Sequence, residues 1–354
     1  MVTIFDIVQS KHLAAYWTTL GNSAANITEE LFPAAKQMGL TLRWIKGSKG
    51  LPVVLKASAF DAKAVPRPRI GFAQIHHDMP YFKESMYVNE ELRQQLNQVL
   101  TSSNQVYIDT VIGQVFNDEI RLLVGAASRR EQMRTMALTT GAINMISNGQ
   151  EYSYDYGVSH KANAVKAWSD LDCDPIEDIQ TAIDTIQGDT GEVLTRAMCD
   201  ASSWKNLRNN KRVYQAIYRL NPGTGTIVSN QVLKEFLKNE TGLEVLVNNH
   251  QFTDESGVSA KYMPDNTFVM FPAGPVGQTW FGTTPAESDL ATSNVANVSI
   301  VDTGVAITTT QIIDPVNIET IVSQICLPSL ERADSIYILD TAGAATPPAQ
   351  EPEE

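Results

Sequence analysis

The chain has 354 residues, of which 43% are hydrophobic, 19% charged and 8% aromatic. Its 27 lysines and arginines against 40 aspartates and glutamates give a formal net charge of −13. This charge argues against a sequence-independent nucleic-acid binder and against docking on an anionic membrane, because both need an excess of cations.

The cysteines and the N-terminus suggest a cytosolic protein. Cys173, Cys199 and Cys326 are too far apart for a CxxC zinc pair, and their odd number does not suit a disulfide framework. Reduced thiols are therefore expected. The N-terminus lacks the pattern of a secretory signal, and no apolar run approaches the roughly 18 residues of a membrane span. The sequence predicts a product that is soluble and intracellular when made.

The first 88 residues predict two segments that have little core of their own. Residues 1–40 have the pattern of an arm with one or two short helices, and residues 41–88 that of a two-stranded ribbon, in which Pro66 and Pro68 exclude a helix. The ribbon is locally basic, with cations at Lys46, Lys49, Lys56, Lys63, Arg67 and Arg69. Because a ribbon with so little apolar surface is not stable alone, it needs a partner surface.

Residues 106–146 carry the longest helical signal, since apolar residues recur at near-helical spacing without an intervening proline. About 34 residues of helix would measure roughly 50 Å, several times the average length in globular proteins. We expect this helix to serve as the backbone of the fold, with Gly113 and Gly125 as its weak points.

From residue 170 helices and strands alternate. Asp174-Pro175-Ile176-Glu177 predicts a helix start with an acidic cap and a proline at the first position, and Gly188 its end. Further helices are predicted near 189–201, 204–220 and 229–239. Strands are predicted at 243–248, 267–271 and 298–302, followed by a β-rich segment at 304–341. The Ala-, Pro- and Glu-rich residues 342–354 predict a disordered acidic tail.

The sequence offers little support for an enzyme. His76-His77-Asp78 is the one local cluster that resembles a metal or acid–base site, but neighbouring residues on a strand point to opposite faces and cannot easily share an ion. The GxSxG, Walker A and GxGxxG motifs are absent from the sequence. No catalytic, cofactor-binding or metal residues are therefore assigned, and no cofactor is expected. A metal-dependent hydrolase that uses these three residues is the alternative from a different class.

A turn near residue 264 carries a family resemblance. In Tyr262-Met263-Pro264-Asp265-Asn266-Thr267, proline presets the turn, and Asp265 and Asn266 tolerate left-handed geometry before a hydrophobic strand. This segment resembles a hallmark of the lambda-type major capsid protein family (capsid protein E) of tailed phages. The glycine-rich continuation from Pro272 to Gly282 and the order of arm, basic ribbon, long helix and β-rich return are also similar to that family.

The resemblance implies an α+β fold of the Hong-Kong-97 type, with an N-terminal arm, an extended β-hairpin loop, a long spine helix with a peripheral-domain sheet, and an axial domain. The corresponding segments are the arm 1–40, the extended loop 41–85, the peripheral domain 86–189 and 302–341 with the spine helix 106–146, the axial domain 190–301 and the tail 342–354.

The function implied is that of a major capsid protein, not an enzyme, which self-assembles into hexamers and pentamers of an icosahedral head. The head encloses phage DNA without binding it specifically. The location implied is the virion, and the host cytoplasm during assembly. The expected partners are other copies of the chain, a portal protein, an optional decoration protein and, since the fold starts almost at Met1, a separate scaffolding protein. An encapsulin-like cellular shell is the alternative within the fold.

Contacts between copies are predicted for the basic ribbon, at Lys56, Lys63, Arg67 and Arg69. Arg67 and Arg69 share one face of an extended strand and can meet one acidic surface. The expected acidic partners are Glu119 and Glu131 on the spine, or Glu29 and Glu30 of a neighbouring arm. Some proteins of this fold join a loop lysine covalently to a peripheral-domain asparagine, for which Lys56 or Lys63 with Asn317 are the candidates here.

Overall fold

The computed structural model describes residues 7–20, 27–46, 73–88, 90, 93–94, 98, 105–219, 227–293, 296–313 and 316–343. The chain forms two compact units. Unit 1 is drawn from Met1–Trp44, Ile75–Arg134 and Gly277–Ser329, and unit 2 from Ile45–Gln74, Thr135–Val276 and Leu330–Glu354. The boundaries of these two units differ from those of the predicted arm, loop, peripheral and axial segments. Most of the predicted ribbon and tail lies outside the described residues.

The described helices and strands alternate along the chain. The helices are α1 (Ser10–Leu20), α2 (Gln105–Thr140), α3 (Pro175–Thr190), α4 (Ala201–Asn209), α5 (Lys211–Tyr218) and α6 (Asn230–Thr241), with a π-helical turn at Ala286–Leu290 and a 3-10 turn at Ala333–Ser335. The strands are β1 (Ala34–Lys36), β2 (Thr41–Lys46), β3 (Ala73–Asp78), β4 (Tyr81–Tyr87), β5 (Ala142–Ser147), β6 (Gln150–Asp155), β7 (Lys161–Asn163), β8 (Leu194–Cys199), β9 (Glu244–Val247), β10 (Gln251–Thr253), β11 (Ser259–Lys261), β12 (Thr267–Pro272), β13 (Gln278–Phe281), β14 (Asn297–Val301), β15 (Val305–Ile312), β16 (Asn317–Ser329) and β17 (Tyr337–Asp340).

Unit 1 is built around the long strand β16. The sheet order is β1-β13-β16-β15-β14, and β4 also pairs with β16. Side chains alternate between the two faces of a strand, so one set of β16 residues faces α2. Gln324 belongs to this set, and its amide donates to the carbonyl of Ala126 on α2 at 3.0 Å. The helix is therefore fixed to the sheet by a polar contact as well as by apolar packing.

The spine helix α2 is present as predicted but ends at Thr140 rather than at 146. Gly141 adopts the left-handed region with φ +70°, the usual way to terminate a helix. The Lys161 ammonium donates to the Thr140 carbonyl at 2.7 Å, so a carbonyl of the last turn has a partner. Apolar residues continue after position 141 because the chain enters strand β5, in which Ile143 and Met145 are buried.

Unit 2 contains a sheet in the order β7-β17-β12-β8-β9. The apolar faces of its helices build a core with this sheet, in which Trp168, Ile179, Leu207 and Phe268 are all buried. Helix α3 starts as predicted, since the Asp174 side chain accepts from the backbone N–H of Glu177. It extends past Gly188 to Thr190.

The helix predicted at 189–201 is wrong. Leu194–Cys199 forms strand β8, parallel to β9 and antiparallel to β12. The segment has no run of strong strand formers, but Ala197, Met198 and Cys199 are buried between neighbouring strands. Position in the sheet therefore overrides local preference. The helix predicted at 204–220 is two helices, because Asn210 ends α4 and caps α5.

Candidate functional site

Three of the buried charged residues of the spine helix lie close together in the sequence. Arg130, Glu131 and Arg134 have relative exposures of 3%, 1% and 1%. Burying a charge is costly unless it is paired and hydrogen-bonded. The groups that pair with these three side chains are therefore held against the spine helix.

Arg130 connects the arm, the sheet and a turn. Its Nη2 donates to Asp302 Oδ2 at 2.8 Å, and its Nη1 to Gln324 Oε1 at 2.9 Å. The indole N–H of Trp17 on α1 donates to the other oxygen of Asp302 at 3.0 Å. Asp302 has φ +46° in the turn between β14 and β15. The carboxylate therefore joins the arm helix to the spine through a buried guanidinium.

Glu131 and Arg134 form a second anchor for the arm. Thr28 donates its backbone N–H to Glu131 Oε1 at 3.2 Å and its hydroxyl to Oε2 at 2.7 Å. Arg134 Nη1 lies 3.9 Å from Glu131 Oε2, and its Nε donates to Thr279 Oγ1 at 2.8 Å. Burial raises the pKa of Glu131, although Thr28 and Arg134 oppose the shift, and burial lowers the pKa of Arg134. Thr28 of the arm thus donates two hydrogen bonds to a carboxylate that is buried away from water.

These contacts correct part of the predicted interface. Glu131 accepts two hydrogen bonds within its own chain, and Glu119 is only 3% exposed. Neither carboxylate can serve as an open acceptor for Arg67 and Arg69. Glu30 is exposed and Glu29 is half-buried. Lys56, Lys63 and the two ribbon arginines lie outside the described residues.

The family turn lies where strand β12 begins. Asn266 has φ +58°, and its carbonyl accepts from the backbone N–H of Thr341 at 2.8 Å. Asp265 pairs with Lys261 at 2.6 Å, and Pro264 precedes them in the turn. The left-handed geometry expected for this motif is therefore present at Asn266.

Asp200 supports the same turn from helix α4. Its carboxylate accepts from the backbone N–H groups of Ser202 at 2.8 Å and Ser203 at 3.2 Å, and from that of Thr267 at 3.1 Å. Burial alone would raise the pKa of Asp200, but the hydrogen bonds from the two serines outweigh it and hold the pKa below its ordinary value. One ionised side chain therefore caps α4 and fixes the start of β12.

Two arginines hold the glycine-rich continuation of the motif. Arg332 donates to the Ala273 carbonyl at 2.8 Å and pairs with Glu192. Arg196 donates to the Pro272 carbonyl at 3.2 Å, and its guanidinium lies 5.3 Å from the centre of the Phe271 ring. The two guanidinium groups therefore give these backbone carbonyls hydrogen-bond partners.

The structure describes only part of the histidine cluster. His76, His77 and Asp78 follow one another on strand β3, and the side chain of His76 lies outside the described part. Burial lowers the pKa of His77, with Asp78 opposing, and Asp78 accepts from the Thr41 hydroxyl at 3.1 Å. Among the described residues, no group of three His, Cys, Asp or Glu side chains is placed to hold a metal ion. No described helix combines the length and apolarity needed to cross a membrane.

Comparison with solved structures places the fold among phage capsid proteins. A phage-related protein of Bordetella bronchiseptica RB50 is similar at 14% identity and a TM-score of 0.57, over 96% of this chain and 98% of that one. A putative capsid protein of a prophage of E. coli CFT073 is similar at 16% identity and a TM-score of 0.59, over 94% and 99%. The capsid protein of cyanophage A-1(L) is similar at 10% identity and a TM-score of 0.52, over 91% and 95%.

These likenesses confirm the predicted α+β capsid fold of the Hong-Kong-97 type. No curated protein matches the chain significantly. The family model for phage major capsid protein E matches residues 9–341, which include the arm helix, the spine, the turn at Asn266 and the last strand. The chain belongs to the phage major capsid protein E family.

Proposed function

We propose that this chain is the protomer of an icosahedral phage head, in which hexamers and pentamers close around DNA. The observation that carries the proposal is the family match over residues 9–341. The two buried anchors at Asp302 and Glu131 support it, because a shell needs each copy to present its arm in one fixed geometry. The same match favours a phage head over an encapsulin-like cellular shell.

The acidic composition suits this role. A shell with a formal charge of −13 on each copy repels nucleic acid rather than binding it, so packaged DNA is confined without specific contacts. The main function is therefore structural, and the prediction that the chain is not an enzyme is part of the proposal. The virion is the expected location after assembly in the host cytoplasm. Light scattering of the expressed protein should show species far above 38.9 kDa; a monomer under all conditions would refute the proposal.

The predicted segments and partners belong to the same proposal. The arm 1–40, the extended loop 41–85, the peripheral and axial domains and the tail 342–354 are proposed as working parts of the protomer. A separate scaffolding protein, a portal protein and an optional decoration protein are the proposed partners. Co-expression with each candidate from the same phage tests them, since a scaffold should raise the yield of closed particles of uniform size.

The basic ribbon is proposed as the main contact between copies. Lys56, Lys63, Arg67 and Arg69 place positive charge on a chain whose other charged residues are mostly acidic. Opposite charges of this kind favour association with a second copy and set its register. Since Glu119 and Glu131 are buried, exposed acids such as Glu30 of a neighbouring arm are the remaining candidates among those predicted.

Charge reversal in the ribbon tests this contact. Arg67→Glu with Arg69→Glu should leave the helix content of the chain unchanged and reduce the particle yield at least about tenfold, because repulsion replaces attraction at every copy. Sedimentation through a sucrose gradient measures the yield. The matched control, Arg67→Lys with Arg69→Lys, keeps the charge and should retain most assembly. If the reversed variant assembles normally at low and moderate salt, the two arginines are not part of an interface.

The covalent link between Lys56 or Lys63 and Asn317 is also a proposal. Asn317 is half-buried at the start of β16, and its Nδ2 donates to the Val88 carbonyl at 2.9 Å. A bond to lysine would replace this hydrogen bond and release ammonia. Denaturing electrophoresis of purified particles would show a ladder of multimers if the link forms and a single 38.9 kDa band if it does not.

A further inference from the structure

A second carboxyl group of the spine, Glu119, is buried without an ion pair to any described cation. It lies on α2 with 3% exposure, and Thr320 on β16, with 0% exposure, lies beside it. Glu119 Oε2 and Thr320 Oγ1 are both buried, and neither makes a hydrogen bond of standard geometry within the described part of the chain. An ionised carboxylate in such a place is costly, because it has lost water without gaining full compensation.

The charged groups near Glu119 on its own helix do not neutralise it. Asp118, an acid, is the preceding residue, and Arg121 Nε lies 3.9 Å from Asp118 Oδ1 while the Arg121 side chain is 78% exposed. Arg129 stands over the Phe82 ring at 5.5 Å. Arg130, further along, is bound to Asp302. The groups that act on the pKa of Glu119 are Thr320 and Asp118, in addition to burial.

Among the described residues of the elements packed nearby, no cation acts on the pKa of this carboxyl, and Lys83 on β4 is exposed. On β4, the Glu84 carboxylate lies towards the helix at Gly125. Tyr87, also on β4, interacts with Glu319 on β16. On the arm helix α1, His12 bonds to the carbonyl of Ile7, the Tyr16 hydroxyl donates to Asn117, and Lys11 is exposed. The one described charged group that acts on the pKa of Glu119 is the acid Asp118, which favours the neutral form.

Burial raises the pKa of Glu119 to about 7, with the hydroxyl of Thr320 opposing and Asp118 adding to the shift. We propose that Glu119 is a proton-binding site that controls how tightly the spine helix is seated on strand β16. The neutral acid remains in the dry contact and can donate to Thr320 Oγ1. The carboxylate draws water into the contact and loosens it. This inference concerns the single chain and does not depend on shell formation.

The sign of the effect follows from linkage. In the unfolded chain the carboxyl loses its proton near its ordinary pKa of 4.5, and in the folded chain it keeps the proton until the pH is about 7. The folded state therefore binds more protons in this window, so stability falls as the pH rises through it and stays low above it. Glu119→Gln, which is permanently neutral, should lack this pH dependence.

Hydrogen exchange of the full-length protein tests the proposal. In the wild type, protection factors of amides from Val115 to Leu123 should fall about tenfold or more between about pH 5 and about pH 8, after correction for intrinsic exchange. In Glu119→Gln they should change little. Amides of α6, in the other unit, serve as the internal reference. The matched control Asp118→Asn removes an exposed acid one residue away and should retain most of the dependence of the wild type, because burial of Glu119 is the main cause of the shift.

A direct titration keeps the proposal testable if the glutamine variant folds poorly. The infrared absorption of the protonated Glu119 carboxyl should disappear as the pH is raised, with a midpoint near neutral pH in the wild type. In a Thr320→Val variant the midpoint should lie at a higher pH, because the hydroxyl that lowers the pKa is gone. If wild type and Glu119→Gln share one exchange profile, the proposal is overturned. A midpoint near the ordinary value of glutamate would overturn it as well.

Discussion

At the scale of single residues, the buried charged side chains of the spine helix hold the arm in position. Arg130 and Arg134 continue the helical spacing of Ile120, Leu123 and Ala127, so they occupy core positions of the repeat. A sequence can reveal this pattern, because charged residues at apolar positions indicate buried pairs. It cannot reveal the partners, since Asp302 lies 172 positions from Arg130 in the chain. Tertiary structure is needed to bring them together.

Arg130→Met tests the value of this arrangement. The substitution keeps an apolar stem of similar length but leaves Asp302, which Trp17 also contacts, without its cation. We expect a loss of about 3 kcal/mol in the free energy of unfolding, because a partly buried charge is left uncompensated. Urea denaturation at neutral pH measures the loss. Arg121→Met, at a side chain that is 78% exposed, is the control and should change stability by less than about 0.5 kcal/mol. Equal stability of the two variants would contradict the role given to Arg130.

At the scale of elements, the sequence predicts local caps better than the places where distant elements approach one another. The start of α3 follows from Asp174 and Pro175, which act within a few residues of each other. The end of α2 at Gly141 depends on space: an added Cβ there would lie 2.7 Å from the Val158 side chain. Strand β8 depends on two neighbouring strands that are distant in sequence. Local capping chemistry can therefore be predicted from the sequence, whereas close approach between distant elements cannot.

Gly277 provides a test of close approach between β13 and β16. A Cβ at this position would lie 1.8 Å from the carbonyl oxygen of Ser329, which is backbone and cannot rotate away. Gly277→Ala should lower stability by about 2 kcal/mol or more, because the strand must shift. Gly188→Ala is the matched control: it lies in helix α3 with nothing within 4 Å of the added methyl and should be neutral or stabilising by up to about 1 kcal/mol. Thermal unfolding of both variants measures the difference. Similar melting temperatures would show that the contact is not tight.

At the scale of the whole molecule, the order of segments along the sequence predicts the fold and family correctly. The resemblance to the capsid family is drawn from the sequence order of arm, basic ribbon, long helix, turn at Asn266 and β-rich return, and the family match extends over residues 9–341. The division into two compact units, with the spine helix contributing to both, does not follow from that order. It depends on which distant segments share a core, which local patterns do not specify.

Electron microscopy of the purified protein tests the central claim, that copies of this chain close into a shell, most directly. The full-length chain, expressed with the scaffolding protein of its phage, should give closed particles whose reconstruction has icosahedral symmetry with hexamers and pentamers. The density of each copy should accommodate the arm helix against the spine at Trp17 and Asp302. A protein that remains a 38.9 kDa monomer, or forms only irregular aggregates with scaffold present, would contradict the account.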